Sequence, residues 1–204
     1  MTKNLDKIQI IAEIGVNHNG SLSLAKKLIK IAKYSGADFV KFQNWKAECL
    51  VTNDAEMANY QKINTNKKFK QIELLKPLEL KNKDYFNLIK CSRKNNIQFL
   101  SSPFDEESYR FLTKKLRCKI IKIPSGEINN FLMLNEINLK KQKVFISTGM
   151  STISEIARCI NFIAKSEIYI IKKNDIKIKS KSKLNFLKKK NCYYALCYRL
   201  SCER

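Results

Sequence analysis

The sequence predicts an α/β fold in which strands and helices alternate around a mostly parallel sheet. Short apolar, β-rich runs recur along the chain, and stretches with helical periodicity separate them. All five glycines and all three prolines lie before residue 151, where they mark the loops between these elements. Strands that alternate with helices pair in parallel, because each helix carries the chain back to the start of the next strand.

The first two elements set this order. Residues 8–17, with the sequence IQIIAEIGVN, form an apolar strand that ends in Gly and Asn. The next stretch begins at Ser21, a candidate N-cap, and places Leu24, Leu28 and Ile31 at helical spacing. A strand followed by a helix is the simplest prediction for this part of the chain.

The same order repeats further along the chain. Four more strands are predicted, with the sequences DFVKFQ at 38–43, NNIQFLSSPF at 95–104, CKIIKIPS at 118–125 and KVFISTGM at 143–150. Three more helices are predicted, with the sequences NKDYFNLIKCSRKN at 82–95, DEESYRFLTKK at 105–115 and STISEIARCINFIAK at 151–165. The last helix opens with a capping-box pattern in which Ser151 to Ser154 lead into Glu155.

Two architectures satisfy this order: a closed barrel and an open, doubly wound sheet. Neither GxGxxG nor GxxxxGK[ST] occurs, so the nucleotide-binding versions of the open sheet lose their main sequence support. The length of 204 residues allows one domain with a sizeable core and is short for most complete eight-stranded barrels with appendages.

The chain is strongly basic, with 40 Lys and Arg against 18 Asp and Glu and a formal net charge of +22. Residues 166–204 alone contain 11 basic and three acidic residues. The excess is mostly Lys scattered among Ile and Asn, rather than Arg interleaved with aromatic residues. This pattern favours a solvated basic surface, and nucleic acid is not the expected partner.

Seven cysteines are present, an odd number without CxxC spacing, and no apolar signal segment follows Met1. No apolar run reaches the roughly 18 residues of a membrane helix. Cys192, Cys197 and Cys202 recur at intervals that do not match an established zinc motif. These features predict a reduced, cytoplasmic protein without membrane partners.

Each predicted strand ends in or near side chains that bind anions or move protons. They are Glu13, Lys41, Gln43, Ser101, Ser102, Lys122, Ser125, Glu127, Ser147 and Thr148. In a barrel, these strand ends lie on the carboxyl-terminal rim, where barrel enzymes place their active sites.

Lys41 and Lys122 carry the strongest functional signal among these residues. Residues two apart on a strand share a face, so Lys41 points with Gln43 and away from Val40 and Phe42. A buried lysine costs free energy unless an anion faces it. Two such lysines with several hydroxyls suit a small, multiply anionic substrate, such as a phosphate ester that also bears a carboxylate. A lysine that points outward and snorkels between helices is the structural alternative.

Five segments stand in a characteristic order and spacing: IAEIGVNHNGS, GADFVKFQ, FLSSPFD, IKIPSGEINN and FISTGMS. In this they resemble the N-acetylneuraminate (sialic acid) synthase family, including its legionaminate relatives. The similarity runs from about Ile8 to Ile163. It implies an incomplete (β/α)8 TIM barrel of about five β/α units over residues 1–165. Residues 166–204 would then form a non-homologous, Lys-rich tail, and the family's C-terminal antifreeze-like domain would be absent.

The resemblance also implies an activity. Members of this family condense phosphoenolpyruvate with an N-acyl hexosamine, classically N-acetylmannosamine, to give a nonulosonic (sialic) acid and phosphate. They use a divalent metal, usually Mn or Mg, and work as homodimers. The resemblance thus predicts a transferase of carbohydrate biosynthesis that forms a carbon–carbon bond.

Roles follow from the matched motifs. Lys41 and Lys122 resemble the lysines that hold the phosphoenolpyruvate anion, and its hydroxyl donors are matched by Ser102, Ser125 and Ser147. Glu13 resembles the acid near the reacting carbons. Gln43 and Glu127 resemble the groups that meet the sugar, and Glu127 is placed with Glu13 as a catalytic carboxylate.

The family's metal ligands are not matched. Two histidines on later strands bind the metal in the family, whereas this chain has one histidine, His18, in the loop after the first strand. We therefore expect no metal ligands from this chain and a hydrogen-bonded loop role, or a place at the rim of the site, for His18.

The end of the chain suggests a shifted reading frame. If the codons from Tyr194 to Cys202 are read one base later, they permit His, Cys, Tyr and Pro in the order of a family motif, H-C-x-x-x-Y-P. Our hypothesis is a frameshift upstream of Tyr194 followed by premature termination. A barrel that stops after five strands has unpaired edges, so we expect a poorly soluble chain with little synthase activity.

Two other interpretations stay open. The chain could be a non-catalytic anion-binding or interaction protein that uses its basic tail or holds phosphoenolpyruvate without turnover. It could also be an aldolase-like barrel in which Lys122 forms a Schiff base.

Overall fold

A computed structural model describes residues 8–56, 70–172, 175–182 and 192–195. The chain contains two compact units, Met1–Leu100 and Ser101–Arg204. Both units repeat a strand followed by a helix, as the sequence predicts. Among the described residues, no helix combines the length and the apolar character needed to cross a bilayer.

The first unit begins with two parallel strands and a helix between them. Its elements are β1 (Ile11–Gly15), α1 (Leu22–Tyr34), β2 (Phe39–Asn44), α2 (Ala47–Leu50), α3 (Gln71–Leu75), a 3₁₀ turn (Lys76–Leu78), α4 (Asn82–Lys94) and the start of β3 (Gln98–Pro103). Ile11 pairs with Phe39 and Glu13 with Lys41. The parallel pairing fixes which residues of β1 and β2 share a face.

Helix α1 confirms the predicted N-cap but buries a different face from the one that its leucines suggest. The Ser21 hydroxyl accepts a hydrogen bond from the Leu24 amide at 3.3 Å. The fully buried residues are Ala25, Ile29 and Ala32, whereas Ile31 is 49% exposed. Because α1 packs on β1, β2 and α4, small alanines at the contact let it approach closely, and the larger leucines lie at the flanks.

The second unit is built on a parallel sheet. Its elements are the end of β3, α5 (Glu106–Arg110), a π-helical turn (Phe111–Lys115), β4 (Ile120–Ile123), a 3₁₀ turn (Ser125–Glu127), α6 (Phe131–Asn135), β5 (Lys143–Ser147), α7 (Ile153–Ile163), β6 (Tyr169–Lys172), β7 (Asp175–Ile178) and β8 (Cys192–Ala195). The strands of the parallel sheet lie in the order β3, β4, β5, β8. Strands β6 and β7 form a separate antiparallel pair.

Two helices of this unit differ from their predicted form. The helix predicted over 105–115 widens into a π-helical turn after Arg110, where the Thr113 hydroxyl donates to the Tyr109 carbonyl at 2.8 Å. The capping box of α7 starts at Thr152, not at Ser151, because Thr152 and Glu155 exchange side-chain to backbone hydrogen bonds at 3.2 and 2.7 Å.

Residues 166–204 contain regular structure that the sequence did not reveal. Strand β8 pairs in parallel with β5, with Val144 opposite Cys192 and Ser147 opposite Ala195. The expectation that β5 forms an open edge is therefore wrong, because four backbone positions of β8 cover it. The frameshift hypothesis rests mostly on the codons of residues 196–204, which lie outside the described residues.

The loop after β1 is a compact turn held by His18. Nδ1 of its buried imidazole accepts a hydrogen bond from the Gly20 amide at 3.1 Å, and the ring stacks on Phe42 with 6.0 Å between centroids. Burial lowers the pKa of His18, and a hydrogen bond to the Gly15 backbone opposes this shift in part. The predicted hydrogen-bonded loop role of His18 is confirmed.

Position 20 requires a glycine because of its backbone conformation and because the Pro77 carbonyl lies close to it. Its φ is +71°, a left-handed conformation, and a Cβ at this position would lie 2.1 Å from the carbonyl oxygen of Pro77. Gly36 has a similar φ of +85° with no atom within 4 Å of the corresponding position. Substitutions at the two glycines therefore distinguish the cost of backbone strain from the cost of steric overlap.

We expect Gly20→Ala to lower the free energy of unfolding by roughly 3 kcal/mol, because strain and overlap add. Gly36→Ala carries the strain alone and should cost about 1 kcal/mol. Urea unfolding of both variants and the wild type measures the difference. Equal losses in the two variants would show that the contact with Pro77 is not tight.

We expect His18 to make the stability depend on pH. Its folded pKa lies below the unfolded value of 6.5, so the unfolded chain binds the proton more readily. This contribution is fully present only above the unfolded pKa and is lost as the pH falls through 6.5 towards the folded pKa.

Because the chain has one histidine, His18→Asn is a clean control: the amide oxygen replaces the acceptor at Nδ1 without titrating. Urea unfolding between about pH 5 and pH 8 should show a steeper loss for the wild type than for the variant. Identical slopes would mean that protonation of His18 is not linked to folding.

Candidate active site

Strands β3 and β4 bring a hydroxyl and a lysine to the same face of the second unit. Ser101 pairs with Ile121, so the next residues in each strand, Ser102 and Lys122, lie side by side. Register partners in a sheet point to the same face. Ser102 and Lys122 therefore share a face, as their predicted role in binding an anion requires.

Strand β5 adds a second hydroxyl to this face. Lys122 pairs with Phe145, and Ser147, two residues further along, points the same way. The 3₁₀ turn Ser125–Glu127 follows β4 directly. The described structure thus assembles most of the predicted site residues of this unit at the carboxyl ends of its parallel strands.

On β3, the opposite face carries the buried Ser101, the register partner of Ile121. On β4 and β5, that face is apolar. Its residues are at most 1% exposed and comprise Ile121, Ile123, Val144 and Ile146. Lys122 and Phe145 are only half-buried. On β4 and β5, the face that carries Lys122 is therefore the more exposed of the two.

The hydroxyl of Ser102 is buried without a hydrogen-bond partner among the described residues. Ser102 is 1% exposed, and its Oγ makes no hydrogen bond there. A buried polar atom left unsatisfied costs about 1–3 kcal/mol. An anion on the face of Lys122 would remove this cost, which makes Ser102 a suitable donor to a ligand oxygen.

Glu127 is held by Asn130, a residue to which the sequence motifs gave no role. Its carboxylate accepts a hydrogen bond from Asn130 Nδ2 at 2.9 Å. Asn130 is also the N-cap of α6, because its Oδ1 accepts from the Met133 amide at 3.1 Å. The sequence could have predicted this cap, because the two consecutive asparagines in GEINN stand just before the apolar stretch FLML.

In the first unit, Lys41 lies beside Glu13. The two are register partners, and Nζ of Lys41 forms an ion pair with Oε2 of Glu13. The Lys41 side chain is 5% exposed, while that of Glu13 is 56% exposed. A buried ammonium group needs such an anion, so the predicted inward lysine is paired by its own sheet neighbour.

Gln43, on the same face as Lys41, has a fixed backbone and a partner for its amide. The Tyr85 hydroxyl donates to the Gln43 carbonyl at 2.5 Å, and Trp45 Nε1 donates to Gln43 Oε1 at 3.4 Å. Burial raises the pKa of Tyr85, so its hydroxyl stays protonated and remains a donor. Trp45 and Tyr85 were not predicted, because such contacts depend on tertiary packing.

The described residues do not fit a metal site of the kind that the resemblance implies. Within their ranges, no three His, Cys, Asp or Glu side chains cluster as metal ligands do. His18 uses Nδ1 as an acceptor within its own loop. A nitrogen that is engaged in this way is not available as a ligand.

Residues 28–187 match the NeuB family. The N,N'-diacetyllegionaminic acid synthase of Campylobacter jejuni is 48% identical over 162 residues, which are 79% of this chain and 48% of that enzyme. The synthase of the same name from Legionella pneumophila is 47% identical over 154 residues, 76% of this chain and 43% of its own length. The chain thus spans about half the length of these curated relatives.

Solved structures extend the likeness to the fold. The sialic acid synthetase of Leptospira borgpetersenii, crystallised with citrate, aligns with a TM-score of 0.68 and 26% identity over 94% of this chain and 65% of its own. A truncated 3-deoxy-D-arabino-heptulosonate 7-phosphate synthase from Thermotoga maritima aligns with a TM-score of 0.54 and 13% identity over 94% and 66%, which shows the fold alone.

These likenesses confirm the predicted fold class, an incomplete (β/α)8 barrel in which helices alternate with parallel strands. They also confirm the resemblance, because the match to the family covers more than half of the chain and relatives exceed 40% identity. The chain belongs to the NeuB family.

Proposed function

We propose that this chain carries the phosphoenolpyruvate-binding residues of a nonulosonate synthase, which joins phosphoenolpyruvate to an N-acyl hexosamine and releases phosphate. The observation that carries the proposal is the shared face of Ser102, Lys122 and Ser147, opposite a face that is apolar on β4 and β5. A half-buried lysine between two hydroxyls suits a ligand with phosphate and carboxylate oxygens.

The relatives support the choice of reaction. The two that are 47–48% identical are N,N'-diacetyllegionaminic acid synthases, whereas the human N-acetylneuraminate-9-phosphate synthase is 32% identical. Pyruvate carbons bear no nitrogen, so both acetamido groups of a diacetylated product come from the sugar. We therefore propose that the sugar substrate of the reaction is an N-acyl hexosamine with two N-acyl groups, and not N-acetylmannosamine itself.

The chemistry has three steps. The vinyl carbon of phosphoenolpyruvate attacks the aldehyde carbon of the sugar, and a new carbon–carbon bond forms as the carbonyl oxygen takes up a proton. Water adds to the cationic carbon that remains. The intermediate then loses phosphate and leaves a keto acid. Charge moves at each step, so groups that hold the anions in place lower the barrier by preorganisation.

This chain's residues divide these tasks. We assign the anions of phosphoenolpyruvate to Lys41 and Lys122, with hydroxyl hydrogen bonds from Ser102, Ser125 and Ser147. We assign Gln43 and Glu127 to the sugar, and Glu13 to the reacting carbons. No step is assigned to Mn or Mg, because the described residues do not fit a metal site.

The ion pair of Lys41 and Glu13 gives this assignment a physical basis in the first unit. Glu13 neutralises Lys41 when no anion is bound. A ligand anion would take over that role and release the exposed carboxylate of Glu13 for the reacting groups. Lysine and carboxylate then act in sequence rather than as a permanent salt bridge.

The setting of the reaction is part of the proposal. We place it in the cytoplasm, because the cysteine pattern suits a reducing compartment. We also propose that the active assembly is a homodimer, as in the family that the sequence resembles.

We expect Lys122→Met and Lys41→Met each to weaken phosphoenolpyruvate binding roughly 10- to 100-fold. Each substitution removes a charged hydrogen-bond donor, and the free energy of such a hydrogen bond corresponds to a change of this size in affinity. Lys30→Met, which removes one charge from an exposed position of α1, is the matched control and should change binding less than about twofold. Calorimetric titration of the full chain with phosphoenolpyruvate measures all four affinities.

A second measurement separates binding from turnover. We expect little synthase activity from this chain, and whatever phosphate it releases should require both phosphoenolpyruvate and the N-acyl hexosamine. Binding of phosphoenolpyruvate with no release of phosphate at all would favour the alternative of a non-catalytic anion-binding protein. Equal binding in all three variants and the wild type would contradict the assigned roles of the two lysines.

A further inference from the structure

We propose that Asn130 is a positioning residue that holds the carboxylate of Glu127 in one orientation. The inference rests on the proposed function, in which Glu127 meets the sugar substrate. It adds a residue to which the motif gave no role and explains why two asparagines follow that glutamate.

The side chain of Asn130 has one possible orientation. Its Oδ1 accepts the hydrogen bond from the Met133 amide at 3.1 Å, as the N-cap of α6. Its Nδ2 therefore faces Oε2 of Glu127, to which it donates at 2.9 Å. A flipped amide would place oxygen against carboxylate oxygen and lose both hydrogen bonds, so the cap and the contact with Glu127 depend on each other.

The turn that carries both residues is itself fixed. The Glu127 amide donates to the Pro124 carbonyl at 3.0 Å, and the Asn130 amide donates to the Glu127 carbonyl at 3.1 Å. Ile128, between them, is buried. Backbone hydrogen bonds thus fix the positions of Glu127 and Asn130. The contact between their side chains only selects the rotamer of Glu127.

A second clamp joins the same turn to the start of α7. Asn129 Nδ2 donates to Oε1 of Glu155 at 3.0 Å, while Oε2 of Glu155 accepts from the amide and the hydroxyl of Thr152 at 2.7 and 2.8 Å. These hydrogen bonds, first those of Thr152 and then that of Asn129, hold the pKa of Glu155 below its usual value. Glu155 is therefore an ionised anchor for the turn, to which the Asn129 side chain is hydrogen-bonded.

The physical gain is preorganisation. A free glutamate side chain loses rotamer freedom when it binds a ligand, and this loss weakens binding. Asn130 removes that freedom in advance, at a site where Glu127 is already half-buried. Loss of one hydrogen bond to a charged group corresponds to a change of about tenfold in affinity.

The chain offers variants that separate the two roles of Asn130. Asn130→Ser and Asn130→Asp keep a good N-cap for α6 but lose the amide donor to Glu127. Asn129→Ser is the matched control, because it breaks the bond to Glu155 one residue away and leaves Asn130 in place. We expect unchanged unfolding free energies for Asn130→Ser, whereas a merely structural role would lower them.

Two readouts on the full-length chain test the inference. Carbon-13 NMR of the Glu127 side chain, assigned with Glu127→Gln, should show one rotamer in the wild type and in Asn129→Ser but averaged rotamers in Asn130→Ser. The affinity for the N-acyl hexosamine, measured with phosphoenolpyruvate present, should fall about tenfold in both Asn130 variants. The affinity for phosphoenolpyruvate should not change.

The outcomes distinguish this inference from the proposed function. Averaged rotamers of Glu127 in the wild type, or a single rotamer kept in Asn130→Ser, would overturn the inference whatever the activity. If the wild type binds no sugar while Glu127 shows the predicted rotamers, the orienting role of Asn130 stands and the proposed function fails. A loss of sugar affinity in Asn129→Ser equal to that in Asn130→Ser would also overturn the inference.

Discussion

The pairing register of parallel strands is the constraint on which the second unit depends. Because side chains alternate, one register places Ser102, Lys122 and Ser147 on one face and four aliphatic residues on the other. A shift by one residue would send Lys122 into the apolar layer and the isoleucines into the site. The same pairing that buries the core therefore also assembles the groups that bind an anion, and neither can change without the other.

In the first unit, the pairing of parallel strands also determines the surroundings of a lysine, but here it supplies a carboxylate. Lys41 is almost completely buried, and parallel pairing with β1 brings Glu13 to its side as the compensating charge. The loop after β1 then needs a histidine that accepts a hydrogen bond and a glycine against the Pro77 carbonyl. Charge compensation and backbone geometry, rather than extra apolar contacts, distinguish this part of the chain.

Sequence periodicity predicted the elements and the faces of the strands well, because alternation and capping are local properties. Parity predicted the face of Lys41, Lys122 was noticed as a lysine inside an apolar strand, and Ser21 was predicted as a cap from its place before an apolar stretch. Helical spacing predicted α1 but not its buried face, because packing against the strands decides which residues are buried. Strand β8 was missed because its partner, β5, is distant in sequence. The contact of Asn130 with Glu127 was missed because the same asparagine is also the N-cap of α6.

Lys41 and Lys122 are the residues to which we assign the anionic groups of phosphoenolpyruvate. The most direct measurement is a set of NMR spectra of the lysine side-chain ammonium groups as phosphoenolpyruvate is added to the full chain. We predict saturable shifts for Lys41 and Lys122, while exposed lysines such as Lys30 stay unchanged. Shifts of similar size across all lysines, or none at these two, would show that Lys41 and Lys122 do not bind the ligand.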